Sequence, residues 1–156
     1  MSRISIVKST AMLAVLTLPV HAAEQTFKQQ IQGAWNLVSC DAKIPACVNP
    51  NGSLSLNGNG RYTAITVAKG RPKTTTTGGR EAITPEEYKA VAKGVQANFG
   101  TWTSNEADKT VAYHIEGALF PNAEGTDGKA TVVSITADEM KTSGTALGNA
   151  TWRRFK

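Results

Sequence analysis

His114 and Glu116 are the residues whose types and spacing could carry acid–base chemistry. Two positions apart on an extended strand, they share a face, with side chains roughly 6–7 Å apart at the base. An imidazole and a carboxylate so placed could serve a small isomerase or hydrolase as acid and base, or supply two ligands to a metal. No third ligand stands at a fixed spacing from them, so no metal site is assigned. The sequence also contains no GxSxG, P-loop, dinucleotide, HExxH or calcium-loop signature, and no cofactor is implied.

Cys40 and Cys47 are the second chemical pair. Their context depends on the N-terminus. Arg3 and Lys8 give a positive start, and residues 10–20 form an apolar run too short to span a bilayer. Val20-His21-Ala22 then presents small residues at −3 and −1. This is the pattern of a secretory signal peptide over residues 1–22, cleaved after Ala22, with one domain over 23–156. The expected location is periplasmic or secreted, and the mature chain has no segment apolar enough to span a membrane. In an oxidising compartment, Cys40 and Cys47 are read as a disulfide closing a short loop, which stabilises by about 2–3 kcal/mol. A zinc site would need two further ligands.

Processing removes two of the 17 basic residues and none of the 12 acidic ones, leaving a net charge of +3. The surplus is spread along the chain without a basic stripe interleaved with aromatics, which argues against nucleic acid as a partner.

The elements that position these residues are mostly strands. Phe27 and Ile31, four apart, suit a short helix covering one end of a core. Gly33 opens a strand with Trp35 and Leu37 on one face. Asn57-Gly58-Asn59-Gly60 turns a hairpin between residues 53–56 and 61–67. Residues 68–79 form a Gly-, Pro- and Thr-rich loop, either a plain connection or a lid. Thr84, Pro85 and Glu87 make a capping box for a helix running to Asn98. Its stripe of Tyr88, Val91, Ala92, Val95 and Phe99 predicts that it packs on the core. Strands follow at 100–104, 109–117, 128–137, 140–145 and 147–155. Seven or eight short strands joined by hairpins, with one helix packed on them, predict a mainly β fold: a small antiparallel up-and-down barrel closed without edges. In such a barrel the apolar face of Val111, Tyr113 and Ile115 points inward, and His114 and Glu116 point outward. Trp102, Tyr113 and Tyr62 then become candidates for a pocket wall, each joining an apolar body to a polar tip. The alternative is that all three fill a small barrel.

These elements resemble the bacterial lipocalin-like domain family, a calycin-type barrel. The resemblance rests on Gly33-Ala34-Trp35-Asn36-Leu37-Val38-Ser39, Asn59-Gly60-Arg61, Thr84-Pro85-Glu86-Glu87-Tyr88 and Asn98-Phe99-Gly100-Thr101-Trp102. It continues through residues 110–122, Gly125-Thr126 and Thr151-Trp152-Arg153-Arg154, in the family's order. Gly33-x-Trp35 alone is a weak signal; the ordered set is more specific. The resemblance implies that Gly33 and Trp35 form the barrel base with Arg153 or Arg154 stacked nearby, and Trp152 is placed there too. It also implies a small apolar or amphipathic ligand in the barrel. Tyr113 stands where the family often has the first of two histidines, and the Cys40–Cys47 loop is an addition to the usual pattern.

Overall fold

Alternation of apolar and polar residues over short, turn-punctuated segments builds the chain into eight antiparallel strands. The computed structural model describes residues 25–156 except residue 76, so the predicted signal peptide lies outside the described residues. In order, the elements are α1 (Phe27–Ile31), β1 (Gly33–Cys40), β2 (Pro50–Leu56), β3 (Arg61–Ala68), α2 (Pro85–Ala92) and β4 (Val95–Asn105). They continue with β5 (Thr110–Ala118), β6 (Asp127–Ile135), β7 (Glu139–Thr145) and β8 (Gly148–Arg154). Each strand pairs with the next, and β8 returns to β1, closing the barrel. This is the closed up-and-down architecture that the hairpin spacing predicts.

One end of the barrel carries the tight turns, and α1 covers it. A capping box between Thr26 and Gln29 starts that helix. Phe27 and Ile31 are buried, and the Trp35 indole donates to the Ile31 carbonyl at 2.8 Å. The Glu106 carboxylate, from the β4–β5 turn, accepts from the Phe27 amide. Arg154 completes this base. Its guanidinium lies 4.0 Å from the Trp35 ring centroid and donates to the carbonyls of Gln30 and Gln32 at 2.6 and 2.7 Å. Arg153, one residue earlier on β8, points to solvent.

The other end is the mouth, framed by the longer connections. The Cys40–Cys47 disulfide forms as expected and closes the β1–β2 loop. Within that loop Ala46 is buried, and the loop is joined to the neighbouring β7–β8 turn by Ala42 N–H donating to the Leu147 carbonyl at 3.2 Å.

The second helix departs from expectation. It keeps its capping box at Thr84 and Glu87 but ends at Ala92, six residues before Asn98, and none of its residues is buried. Tyr88 is 46% exposed and donates to the Arg80 carbonyl. Val95 and Phe99, the far end of the predicted stripe, belong to β4. Residues 95–101 pair one for one with β3, and those ladder bonds override the helical periodicity. The break falls at Gly94, where the chain passes so close to β3 that a Cβ would meet Ala68 Cβ at 3.1 Å. No helix among the described residues is long and apolar enough to cross a membrane.

Candidate functional site

The inward faces of the strands do not fill the barrel. A cavity of about 120 Å³ remains inside it. Tyr62, Ala64 and Thr66 of β3 enter it from one side, with Gln96, Asn98 and Trp102 of β4 beside them. Val111 and Tyr113 of β5, Val132 of β6, Met140 of β7 and Trp152 of β8 continue the wall. Toward the mouth it is bounded by Thr145, the last residue of β7, and by Ala146 and Leu147 of the β7–β8 turn. No charged side chain among the described residues lines it.

The strand register explains this grouping. Tyr62 pairs with Gly100, Ala64 with Asn98 and Thr66 with Gln96, so the polar amides stand nearer the mouth and Tyr62 deeper. Trp102 pairs with Tyr113, and Tyr113 with Gly128. The Tyr62 and Tyr113 rings lie 5.7 Å apart and are tilted by 59°, a favourable arrangement for two aromatic quadrupoles.

The polar tips of this wall differ in their commitments. Trp102 donates its indole N–H to the Asn57 carbonyl at 3.0 Å, and Trp152 donates to the Thr142 hydroxyl at 3.0 Å. Both are spent on the protein. The Tyr62 hydroxyl is buried and has no hydrogen-bond partner among the described residues. Burial, with smaller contributions from Tyr113 and Glu116, pushes its pKa up to about 12, so it stays protonated and able to donate. Burial likewise raises the Tyr113 hydroxyl.

Trp152 is a departure from expectation. It sits in the cavity wall and not at the base, because alternation along β8 turns Ala150, Trp152 and Arg154 inward at successive depths. Only Arg154 reaches the base. None of the described residues of the 68–79 loop lines the cavity. The loop is tied to α2, with Thr75 bonded to the Glu87 carboxylate and Arg71 to the Val91 carbonyl. Sequence reasoning misses Met140, Leu147 and Val132 as wall residues. Alternation marks Val132 and Met140 as one-face residues, but nothing local marks a turn residue such as Leu147.

His114 and Glu116 lie on the outer wall, each bonded to a partner of its own. His114 Nδ1 contacts Asp127 Oδ1 at 2.8 Å, and Glu116 takes a 2.6 Å bond from Arg61. Their side chains are 48% and 37% exposed. The Arg61 bond holds the Glu116 carboxyl below its ordinary value. Both side chains are solvent-exposed on the outside of the barrel, and neither lines the cavity. No group of three or more His, Cys, Asp or Glu among the described residues could hold a metal ion.

A closed eight-stranded antiparallel barrel with a helix over one end and an apolar cavity open toward the other defines the calycin-type class of small barrels. The family model for the lipocalin-like domain matches residues 32–154, and the chain belongs to that family. Two solved structures are similar at low identity. A lipocalin-like protein from Bacteroides uniformis is 11% identical, with a TM-score of 0.41, covering 81% of this chain and 99% of its own. An uncharacterized protein from Bacteroides eggerthii is 10% identical, with a TM-score of 0.41, covering 80% of this chain and 98% of its own. No curated protein matches the chain.

Proposed function

We propose that this protein is an exported binding module that takes a small apolar or amphipathic molecule into its barrel. The observation that carries the reading is the cavity itself: about 120 Å³, walled mainly by apolar and aromatic side chains and reaching the mouth. Apolar space of this kind is poorly hydrated, and a matching solute gains by leaving water for it. Trp102, Tyr113 and Tyr62 are the contact residues of this proposal, joined by Trp152 and Met140. Gly33, Trp35 and Arg154 hold the base rigid beneath them.

The volume bounds the ligand. A cavity of roughly 150 Å³ accommodates a benzene-sized molecule. At about 120 Å³ this cavity is somewhat smaller, so a single ring or a short alkyl chain is the most it encloses, with any larger portion projecting from the mouth. Retinoids and haem exceed the space. Trp102 and Trp152 report directly on occupancy. Titration of tryptophan emission with short-chain alcohols and single-ring solutes should give a saturable change that Trp102→Phe diminishes. A flat response to every solute, in protein that remains folded, removes the reading.

Export is supported by the N-terminal pattern and by a disulfide, which persists in oxidising compartments. Fractionation of the expressing cell should find the protein outside the cytoplasm with Ala23 at its N-terminus. A cytoplasmic protein retaining Met1 or Ser2 would reject it.

A further inference from the structure

We infer that the cavity selects an uncharged ligand bearing a hydrogen-bond acceptor, of the class of single-ring or short-chain carbonyl compounds, which takes its bond from the Tyr62 hydroxyl. The inference rests on the reading of the barrel as a small-molecule site and names the chemistry of its occupant.

Three features of the wall converge on this class. The first is the Tyr62 hydroxyl. Tyr62 is 4% exposed, lines the cavity, and its oxygen has no partner among the described residues. Buried hydroxyls in folded proteins are nearly always paired, so an orphan on a cavity wall is a donor awaiting an acceptor. The second is what surrounds it. The indole donors of Trp102 and Trp152 are bonded internally, to Asn57 and Thr142, and do not compete for a ligand. The third is charge. With no Lys, Arg, His, Asp or Glu among the described lining residues, an ionised head group entering the cavity would lose its hydration and find no counter-charge. A carboxylate is therefore excluded from the depth where Tyr62 stands, whereas a ketone, aldehyde, ester or lactone oxygen is not. The high pKa of Tyr62 keeps the hydroxyl a donor across the physiological range.

Gln96 and Asn98 stand nearer the mouth, and Tyr113 is only partly buried, so Tyr62 is the deep donor, and recognition by a deeply buried donor has a known signature. A site that bonds a polar group discriminates strongly against an analogue lacking it, because the protein's own group is then left unpaired. A purely apolar cavity would instead rank ligands by size alone.

The test is an NMR titration of 15N-labelled protein, residues 23–156 with the disulfide intact. The probes are acetophenone, ethylbenzene and benzoate, three single-ring molecules of similar size. Acetophenone should bind about tenfold more tightly than ethylbenzene, the equivalent of one hydrogen bond of roughly 1.4 kcal/mol. Benzoate should bind more weakly than either. Tyr62→Phe keeps the ring and removes the oxygen, and in that variant acetophenone and ethylbenzene should bind equally. Equal affinity of the two in the native protein, or a preference that survives Tyr62→Phe, overturns the inference while leaving the barrel a binding site. Tight benzoate binding with shifts at Tyr62 and Trp102 overturns the exclusion of charge. Failure of all three probes to shift any cavity residue rejects the binding reading itself, and this inference with it.

Discussion

The ring of Tyr113 lies against Gly128, its cross-strand partner on β6, filling the space that a Cβ there would occupy. Gly128 thereby sets the position of an aromatic ring that forms part of the cavity wall. Glycine is needed here for close approach, since the backbone is ordinary extended strand.

Gly128→Ala should therefore act on the cavity as well as on stability. The added methyl cannot coexist with the present Tyr113 ring, and overpacking of this kind costs about 1–3 kcal/mol. The ring must turn toward Tyr62 or the mouth, changing the volume available to a solute. Thermal unfolding measures the first effect, and aromatic NMR shifts of Tyr113 and Tyr62 measure the second. An unchanged Tyr113 environment would show that the ring does not depend on the glycine.

Tyr62→Phe makes the opposite prediction for the ligand-free protein. Leaving a buried hydroxyl unpaired costs about 1–3 kcal/mol, and phenylalanine removes the hydroxyl with little change of shape. The variant should be as stable as the native protein or more so, with a higher denaturant midpoint. A clear loss of stability would mean that the hydroxyl is already bonded in solution.

Much of the fold is legible in the sequence, and the reasons are local. Phe27 and Ile31 at helical spacing mark the cover of the base. Asn57 to Gly60 demand a tight turn. Residues 110–116 alternate so cleanly that the inward face of β5 can be read directly, and with it the outward placement of His114 and Glu116. The limit of α2 is not legible in the same way. Val95 and Phe99 satisfy a helical stripe and a strand equally well, and only pairing with β3, more than 20 residues back along the chain, decides between them. Trp152 shows the same limit. Next to two arginines it reads as part of the base, but its depth is set by β8 pairing with both β1 and β7. The cavity is the least legible feature. It is the difference between a barrel's interior and the summed volume of its side chains, a quantity that no single residue carries.

At the base, Arg154→Lys should cost about 1–3 kcal/mol. Arginine's planar fork reaches two carbonyls of the α1 segment, those of Gln30 and Gln32, while stacked over Trp35. A lysine ammonium carries charge without that fork. The loss should concentrate in α1, appearing as faster hydrogen exchange of the Trp35 indole, whose acceptor is the Ile31 carbonyl. Arg153→Lys, on the solvent side of the same strand, serves as the control and should leave both readouts unchanged.

The disulfide closes a short loop, and removing it through Cys40→Ser with Cys47→Ser should lower stability by about 2–3 kcal/mol. Its influence should also reach the mouth. The loop is anchored to the β7–β8 turn by the Ala42–Leu147 backbone bond, and Leu147 bounds the cavity. Chemical denaturation with and without reductant gives the stability term, and amide exchange at Leu147 and Asn149 gives the local one. Equal midpoints under both conditions would show that the remaining loop contacts hold the mouth unaided.

Acid should weaken this barrel through three exposed carboxylates, in the β1–β2 loop, in the β4–β5 turn and on the outer face of β5. Asn149 holds the Asp41 carboxyl below its ordinary value of 3.8, Thr110 with Lys129 does the same for Asp108, and Arg61 holds Glu116 below 4.5. A carboxyl whose folded pKa is depressed binds fewer protons in the folded state than in the unfolded one. Its contribution is complete above the ordinary value and disappears as the pH falls through the folded one. Stability should thus be level from pH 7 down to about 5 and decline below about 4.5, on these groups' account. Glu116→Gln removes one of the three. It should lower the urea midpoint slightly at pH 7, where exposed ion pairs contribute little, and leave the midpoint near pH 3 closer to that of the native protein. A difference between variant and native protein that grows toward low pH would contradict the assignment, because falling pH removes the Arg61–Glu116 ion pair from the native protein by protonation, whereas the variant lacks it at every pH.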